Sequence, residues 1–420
     1  MKITILTVGT RGDVQPYVAL GKGLQRAGYD VTLATATNFE PFIRARGVNY
    51  APLRADYYEL VNSPESRALM SGNPLRMIQN MKTTVFPLMR RLLDDSWTVS
   101  QGSDAIIYHP KVFSGIHIAE KLDIPCFVAL TVPVITPTRA FPAPGLPVGS
   151  LGGWLNRRTY SLVGLASTAF NGMVKTWRKE VLNLPPGKSA TNDYLLRGQP
   201  VPILYCYSKH ILPVPDDWTR PTYVTGCWFL DTQGDWQPPP DLLEFIESGP
   251  APVYVGFGSM SAKDPAKVTQ TVIAALEKAG QRSVIATGWG AIQDADVPPT
   301  IFKLNEAPHE WLFPRMAAVV HHGGAGTLAA GLRAGRPTVV CPFIADQPFW
   351  GNVVHRLGVG PEPISQRKFS VERLAEAIHT AVTDAGMQQR AAAVGEQIRA
   401  EDGVANAVAV IQQYLTSGSR

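Results

Sequence analysis

Cysteine is scarce in this sequence. Cys126, Cys206, Cys227 and Cys341 are the only four, and no two of them have C-x-x-C spacing. This distribution fits neither a zinc site nor a disulfide framework, so it favours a reducing compartment. Long apolar runs are also missing: none reaches the length of a transmembrane helix, and the first apolar stretch is too short for a signal-peptide core. We therefore expect a cytoplasmic protein, and the sequence leaves peripheral contact with a membrane open.

The net charge of the sequence is also small. The 420 residues carry a net charge of +5, and no Lys/Arg-rich run with interleaved aromatics is present. Nucleic acid is therefore not an expected partner. With 45% apolar and 17% charged residues, the chain can bury sizeable cores and is not globally disordered. No obligate protein partner is evident.

Strand and helix patterns alternate in two separate parts of the chain. Apolar runs typical of buried parallel strands lie at 3–8, 31–34, 105–108, 126–130, 253–257, 283–286, 301–304, 317–320 and 338–341. Between the two series, residues 231–250 are rich in Pro, Gly and acidic side chains, which predicts a semi-rigid linker. Pro16 suits the first turn of the first helix, where its missing N–H costs nothing. The pattern predicts an α/β fold of two doubly wound domains.

The densest motif is a glycine-rich turn that follows a predicted strand and leads into a helix, His321-His322-Gly323-Gly324-Ala325-Gly326-Thr327. Such a turn exposes backbone N–H groups at a helix N-terminus and is therefore a ready anion site. A tight turn that needs glycine for a positive φ would give the same pattern. The spacing is not G-x-G-x-x-G, so it does not match the dinucleotide fingerprint.

Two carboxylates follow predicted strands, where doubly wound sheets bind their ligands. Asp13 lies after the first strand and would act either as a helix cap or as a base that takes a proton from a hydroxyl. Asp346 and Gln347 lie after the last strand and would either begin a helix or hydrogen-bond adjacent hydroxyls of a sugar.

Other candidate motifs are incomplete. His309-Glu310 begins like H-E-x-x-H, but Phe313 occupies the place of the second histidine, so no metal site is predicted. His109 is interpreted as a packing or surface residue.

A long segment resembles the donor-binding region of the sterol 3-beta-glucosyltransferases. The resemblance rests on residues 307–314, the turn 321–327, residues 330–337 and residues 346–351, and the loop 9–16 is similar to the acceptor-side loop of the same family. It implies the GT-B fold, in which two Rossmann-like domains face each other across a cleft. The expected parts are an acceptor-binding domain at 1–230, a linker at 231–250, a nucleotide-sugar-binding domain at 251–400 and a C-terminal helix at 401–420 that crosses back to the first domain.

The resemblance also implies an inverting, metal-independent transfer from a UDP-sugar, most often UDP-glucose, with no cofactor. Asp13 would be the general base, and its carboxylate would stand alone, without the histidine that plant relatives place there. The donor would be held by Gly12, Ser259, Ala307, His309, His322, Gly324, Ala325, Gly326, Thr327, Asp346 and Gln347. Within this set, Ala307 and His309 are expected at the base and ribose, His322 and the turn amides at the pyrophosphate, and Asp346 and Gln347 at the sugar.

The acceptor is expected to be a hydrophobic polycyclic alcohol such as a sterol. Phe141 and Trp154 lie in irregular, Pro- and Gly-rich stretches that would line an apolar pocket or rest on a bilayer, or would simply pack on the first sheet. Two other functions stay open. One is a glycosyltransferase that acts on a phenolic or macrolide natural product from a UDP- or dTDP-sugar. The other is a protein that binds nucleotide sugars without catalysis.

Overall fold

A seven-stranded parallel sheet forms the centre of the first half of the protein. The computed structural model describes residues 1–54, 79–146, 148–187, 194–231, 236–258, 260, 264–287, 292 and 295–417. The strands of this half are β1 (Lys2–Leu6), β2 (Asp30–Thr35), β3 (Asn49–Pro52), β4 (Ala105–Tyr108), β5 (Cys126–Leu130), β6 (Leu195–Leu196), β7 (Gln199–Pro200), β8 (Ile203–Tyr205) and β9 (Thr222–Val224). The sheet order is β3-β2-β1-β4-β5-β8-β9, and β6 and β7 form a separate antiparallel pair.

Helices cover this sheet, and apolar strand residues are buried between them. The helices are α1 (Arg11–Arg26), α2 (Glu40–Arg44), α3 (Phe86–Val99), α4 (Gly115–Leu122), α5 (Gly153–Ser167) and α6 (Asn171–Glu180). The predicted helix start at Pro16 is wrong, because α1 already begins at Arg11 and contains Pro16 in its second turn. A capping box between Thr10 and Asp13 fixes the earlier start.

A five-stranded parallel sheet forms the second half. Its strands are β10 (Val253–Gly256), β11 (Ser283–Ala286), β12 (Ile301–Leu304), β13 (Val319–His321) and β14 (Thr338–Val340), in the order β12-β11-β10-β13-β14. Its helices are α7 (Pro240–Glu247), α8 (Pro265–Lys278), α9 (His309–Leu312), α10 (Ala325–Arg333), α11 (Gln347–Leu357), α12 (Val371–Thr383), α13 (Ala385–Arg399) and α14 (Gly403–Ser417). Both sheets therefore share one strand order around a central strand, as Rossmann-like domains do.

Part of the predicted linker is structured. Helix α7 lies inside the range 231–250, and its Leu242 side chain is fully buried in the core of the second half. Pro240 opens this helix, and Phe245 packs against Phe302 with ring centroids 5.5 Å apart. An amphipathic pattern after the proline run therefore overrides the extended conformation that its composition predicted.

The last helix, α14, packs on α1 of the first half. Val404, Ala407, Val408, Ile411 and Leu415 are buried in the same apolar cluster as the residues of β1 and α1. In the ranges that the structure describes, no helix is long and apolar enough to cross a bilayer.

Candidate active site

The carboxyl ends of both sheets face one cleft of about 2620 Å³, which is lined by residues of both halves. In each sheet the strand order reverses beside the central strand, between β1 and β4 and between β10 and β13. Loops diverge at such switch points and leave a crevice for ligands. The side chains that follow these four strands therefore meet across the cleft.

Asp13 lies on this cleft in the first turn of α1, and its carboxylate caps the helix. Its Oδ2 accepts a hydrogen bond from the amide of Thr10 at 2.9 Å. A Cβ added at Gly9 would lie 2.1 Å from the same oxygen, so this approach requires glycine. The two roles considered for Asp13 are thus compatible, because capping uses one oxygen and leaves the other for a second partner.

That second partner is Lys111, which the sequence reasoning missed. Its Nζ donates to Asp13 Oδ1 at 2.7 Å, and the side chains of Asp13 and Lys111 are 18% and 35% exposed. The carboxylate, expected to lack a histidine partner, thus has a lysine as its charged partner. Burial by itself would raise the pKa of Asp13, but the charge of Lys111 and the hydrogen bonds from Lys111 and Thr10 hold it below its ordinary value. The carboxylate is therefore ionised near neutral pH.

His109 also lines the cleft beside Asp13, although its sequence context suggested a packing or surface residue. Its Nδ1 accepts from the backbone amide of Lys111 at 3.0 Å. Burial, aided by the Lys111 charge and opposed by Asp13, lowers the pKa of His109 to about 3. The ring is therefore neutral, with its proton on Nε2.

Across the cleft, His322 packs between two glycines. A Cβ added at Gly324 would lie 2.5 Å from the His322 Nε2 atom, and one at Gly258 would lie 3.2 Å from its Cε1. The buried Nδ1 of His322 makes no hydrogen bond to any residue that the structure describes. Burial lowers the pKa of this ring to about 4. Because buried polar groups are normally hydrogen-bonded, this neutral imidazole nitrogen at a helix start is a candidate contact for a ligand.

The glycine-rich turn begins α10 at the same place. Gly324 is the N-cap residue and makes no side-chain cap, so the amides of Ala325, Gly326 and Thr327 have no carbonyl partner within the helix. All four residues line the cleft. Together with His322 they form a concave set of donors suited to an anion.

Ala307, His309 and Gly12, which are expected to hold the donor, also line the cleft. His309 opens α9 and stacks on Phe313 with ring centroids 4.2 Å apart. Burial and then the charge of Arg11 lower the pKa of His309 to about 4, against an opposing effect of Glu306. The neutral His309 ring, stacked on Phe313, therefore adds apolar surface to the cleft.

Asp346 and Gln347 lie at the start of α11 and reach the cleft, but their side chains already have protein partners. Asp346 Oδ2 accepts from Trp350 Nε1 at 2.9 Å, and burial raises the pKa of Asp346. The Gln347 side-chain oxygen accepts from the amides of Phe343 and Ile344 at 2.7 and 3.0 Å. Gln347 therefore shapes the turn that presents Asp346, and Asp346 keeps its other oxygen for a ligand.

The two residues expected at the acceptor lie elsewhere. Phe141 is buried against Phe349, with ring centroids 5.3 Å apart, and Trp154 is 63% exposed on the outer surface. Neither is among the cleft-lining residues. In the first half, the cleft instead has an apolar wall formed by Val85, Leu88, Met89, Leu92, Phe113, Val134, Val163 and Phe170. Ser259, expected beside the phosphates, lies outside the described residues.

Within the described residues, no three His, Cys, Asp or Glu side chains are arranged to hold a metal ion.

Two family models match the chain. Residues 3–142 match the glycosyltransferase family 28 N-terminal domain, and residues 270–412 match the erythromycin biosynthesis protein CIII-like C-terminal domain. The first match contains Asp13 and Lys111, and the second contains the glycine-rich turn and Asp346.

Curated relatives align along nearly the whole chain. Sterol 3-beta-glucosyltransferase UGT80A2 of Arabidopsis thaliana is 39% identical over 430 residues, which are 100% of this chain and 66% of the relative. Sterol 3-beta-glucosyltransferase of Emericella nidulans is 40% identical over 432 residues, which are 99% of this chain and 30% of the relative. The chain thus spans about two thirds of the plant relative and less than a third of the fungal one.

Solved structures confirm the predicted fold. The glycosyltransferase of kitacinnamycin has a TM-score of 0.73 at 19% identity, over 99% of each chain. CalG4, the calicheamicin glycosyltransferase, has a TM-score of 0.71 at 19% identity, over 99% of this chain and 98% of its own. The Streptomyces glycosyltransferase SsfS6, solved with thymidine diphosphate, has a TM-score of 0.63 at 18% identity, over 98% of this chain and 99% of its own.

Proposed function

We propose that this chain, which belongs to the GT-B superfamily of glycosyltransferases, transfers glucose from UDP-glucose to a hydroxyl of a hydrophobic polycyclic alcohol such as a sterol. One observation supports the proposal above the others. An ionised carboxylate, Asp13, and a buried, unpaired imidazole at a helix start, His322, face the same cleft from opposite sheets.

The donor diphosphate would lie on the α10 side. The Nδ1 atom of His322 and the amides of Ala325, Gly326 and Thr327 would donate to its oxygens, because each has no acceptor of its own within the described residues. These donors stabilise the negative charge that grows on UDP as the bond to the sugar breaks. SsfS6, a structural neighbour, binds thymidine diphosphate, which has the same diphosphate group.

Asp13 would accept the proton of the acceptor hydroxyl. The oxygen of the acceptor hydroxyl then forms a bond to the anomeric carbon of the sugar. At the same time the bond between that carbon and the UDP oxygen breaks, and the electron pair of this bond leaves with UDP. Attack from the face opposite the leaving group inverts the anomeric centre. No acid is needed for a leaving group that is already an anion, which is why one carboxylate suffices here while a glycosidase needs two.

Asp346 would contact the sugar. It lines the same cleft as Asp13, at the start of α11, so it would face the reacting centre rather than the nucleotide. Its free oxygen would accept a hydrogen bond from a sugar hydroxyl, and Gln347 would hold the turn in place.

The apolar wall of the cleft supports the choice of acceptor. Phe113 and Phe170 pack with ring centroids 5.2 Å apart and, with the Leu and Val side chains of the wall, offer a surface that an alicyclic skeleton would fill. The curated relatives of this chain are named as enzymes of sterols, which agrees with such a surface.

An acceptor screen tests the proposal. Purified protein is incubated with UDP-glucose and, separately, sterols, flavonoids and macrolides, and products are identified by mass spectrometry. A hexosylated sterol, absent with Asp13→Asn, is the expected result, and turnover should persist in EDTA as the family resemblance implies. Transfer confined to flavonoids or macrolides would reject the sterol, and UDP-glucose binding without any transfer would reject the enzyme.

A further inference from the structure

The largest group of exposed apolar side chains lies on and just before α5. Ten large apolar residues are exposed in the described part of the chain, and six of them fall between 148 and 165. We name these six the α5 surface: Val148, Leu151, Trp154, Leu155, Leu162 and Leu165. Trp154 and Leu165 are 63% and 66% exposed. Single exposed apolar residues need no explanation, but a contiguous group does.

The exposure of this surface follows from helix geometry. Trp154, Arg158, Leu162 and Leu165 succeed one another at three- and four-residue spacing and share one face of α5. Asn156 and Thr159 on the opposite face are buried, and Asn156 accepts from the amide of Leu151 at 2.9 Å. The loop before the helix is thus tied to it and holds Leu151 outward.

The same region has a one-sided charge. No acidic residue occurs from 124 to 179, whereas this segment contains six Lys and Arg residues. The whole chain has a net charge of +5 and this segment alone contributes +6, so the remainder is close to neutral. Arg158 lies over the Trp154 ring at 5.1 Å, and Arg157 reaches Asp217 at 3.5 Å. Arg158 therefore borders the apolar Trp154 directly, while Arg178 of the same segment is buried against Glu120.

Helix α5 also forms part of the cleft wall. Tyr160, Ser161, Val163 and Gly164 line the cleft, while Leu162 and Leu165 of the same turns face outward. A single helix thus separates the apolar acceptor wall from the apolar outer surface.

We propose that the α5 surface docks on an anionic lipid bilayer. A helix with Trp and Leu on its outer face and Arg beside them matches the interfacial zone, where apolar side chains enter the acyl boundary and cations meet lipid phosphates. The biological purpose of this docking rests on the proposed function, because an apolar acceptor dissolved in the membrane would enter the cleft beside the helix that touches the membrane.

Vesicle sedimentation tests the surface without donor or acceptor, so its outcome is separate from that of the proposed function. Wild-type protein is mixed with vesicles of phosphatidylcholine alone or with 30% phosphatidylglycerol, at low and high salt. The test variant is Leu162→Ser with Leu165→Ser, and the matched control is Leu195→Ser with Val214→Ser, two exposed apolar residues far from α5 in sequence.

We expect binding to the anionic vesicles, weakened by salt, and a loss of roughly tenfold or more in the α5 variant but not in the control. Arg158→Gln should weaken binding to anionic vesicles only. Absence of binding, or equal binding by variant and control, would overturn the proposal. So would a wild-type dimer that the α5 variant converts to monomer in size-exclusion chromatography, because the occupant would then be a second copy.

Discussion

Asp13 contacts both the Thr10 amide and the Lys111 ammonium, so a test of its catalytic role has to control for the loss of either contact. Asparagine would keep the bond from Thr10 but would turn an amide group toward the Lys111 ammonium, which would lose its carboxylate partner. Asp13→Asn is therefore best compared in the wild-type and Lys111→Met backgrounds. We expect single-turnover transfer to fall by about 10²–10⁴-fold in both backgrounds, as removal of a general base predicts.

Rapid-quench measurement with saturating donor checks this result. Circular dichroism and UDP affinity of each variant are the controls for folding and donor binding. An Asp13→Asn enzyme that keeps more than about a third of the rate in the Lys111→Met background would leave Asp13 a helix cap.

Lys111 positions Asp13 and favours its ionised form, so Lys111 should control how kcat depends on pH. Its charge helps hold the pKa of Asp13 low against the raising effect of burial. Lys111→Met leaves the burial and removes the charge, so the pKa of Asp13 rises and the carboxylate becomes protonated at a higher pH. We expect the acidic limb of the kcat profile to move to higher pH, with turnover near wild type on the alkaline side. A uniform loss across pH 4–9, without a shift of the limb, would mean that Lys111 is only structural.

His322 should take up a proton when the donor binds. Burial lowers its pKa to about 4, so it is neutral in the free protein near pH 7. A diphosphate against the ring raises that pKa, and between pH 4 and the bound value, affinity for UDP-glucose therefore rises as pH falls. Calorimetry near pH 6 in buffers of different ionisation enthalpy measures this uptake. It should vanish in His322→Gln and persist in the control His355→Gln, an exposed histidine; equal uptake in both variants would show that the ring does not meet the phosphates.

At the scale of elements, the contact between α1 and α14 depends on a glycine. A Cβ added at Gly23 would lie 2.2 Å from Val404 Cγ1. Gly23→Ala should therefore destabilise the protein by about 1–3 kcal/mol, even though alanine is the better helix former by about 1 kcal/mol. Gly172→Ala on α6 is the matched control, because outside its own helix backbone and chain neighbours no atom of the described residues lies within 4 Å of its added Cβ.

Urea unfolding of both glycine variants gives the comparison. We expect a lower midpoint for Gly23→Ala and an unchanged or higher one for Gly172→Ala. If the two midpoints move together, the helix-packing account of Gly23 is wrong.

Most strands could be predicted from the sequence, because short apolar runs between turn residues have few alternatives. Those at 105–108, 126–130, 283–286 and 301–304 coincide with β4, β5, β11 and β12 to the residue. The start of α1 was misplaced because the Thr10–Asp13 capping box outweighs the preference of Pro16 for a first turn. Helix α7 was missed because its composition resembles a linker, while its stability comes from Leu242 packing on the second sheet.

Residues of the candidate site could be predicted only where the neighbouring sequence itself indicates a site, as it does directly after a predicted strand. Asp13, His322 and Asp346 each follow a predicted strand, and each lies on the cleft. Lys111 has no local signal, since its meeting with Asp13 depends on β4 pairing beside β1. Phe141 and Trp154 were placed at the acceptor by residue type, but type alone does not tell which way a side chain on an irregular loop points.

At the scale of the whole molecule, the two halves are joined by packing in a shared apolar core and by charge between residues that line the cleft. Phe141 against Phe349 lies in the shared core, whereas Arg11 and Glu306 form an ion pair between α1 and the loop after β12. Arg11 also donates to Gln15 at 3.0 Å, which holds its side chain in place. Both members of the pair are more than half exposed, so its net contribution is at most about 1 kcal/mol and falls with salt.

An ion pair of that size has little effect on folding but is large enough to bias the opening of the cleft. We expect Glu306→Gln to leave the unfolding free energy within about 1 kcal/mol of wild type while raising KM for UDP-glucose by up to about fivefold at low salt. The wild type at 0.5 M salt should approach the variant, because screening removes the same attraction. The charge swap Arg11→Glu with Glu306→Arg should return KM toward wild type, since it restores the attraction with reversed signs. If Glu306 instead contacted the donor directly, KM of the charge-swapped protein would stay high, and salt would not bring the KM of the wild type to that of Glu306→Gln. Steady-state KM of these three proteins at two salt concentrations therefore distinguishes an ion pair that closes the cleft from a direct contact with the donor.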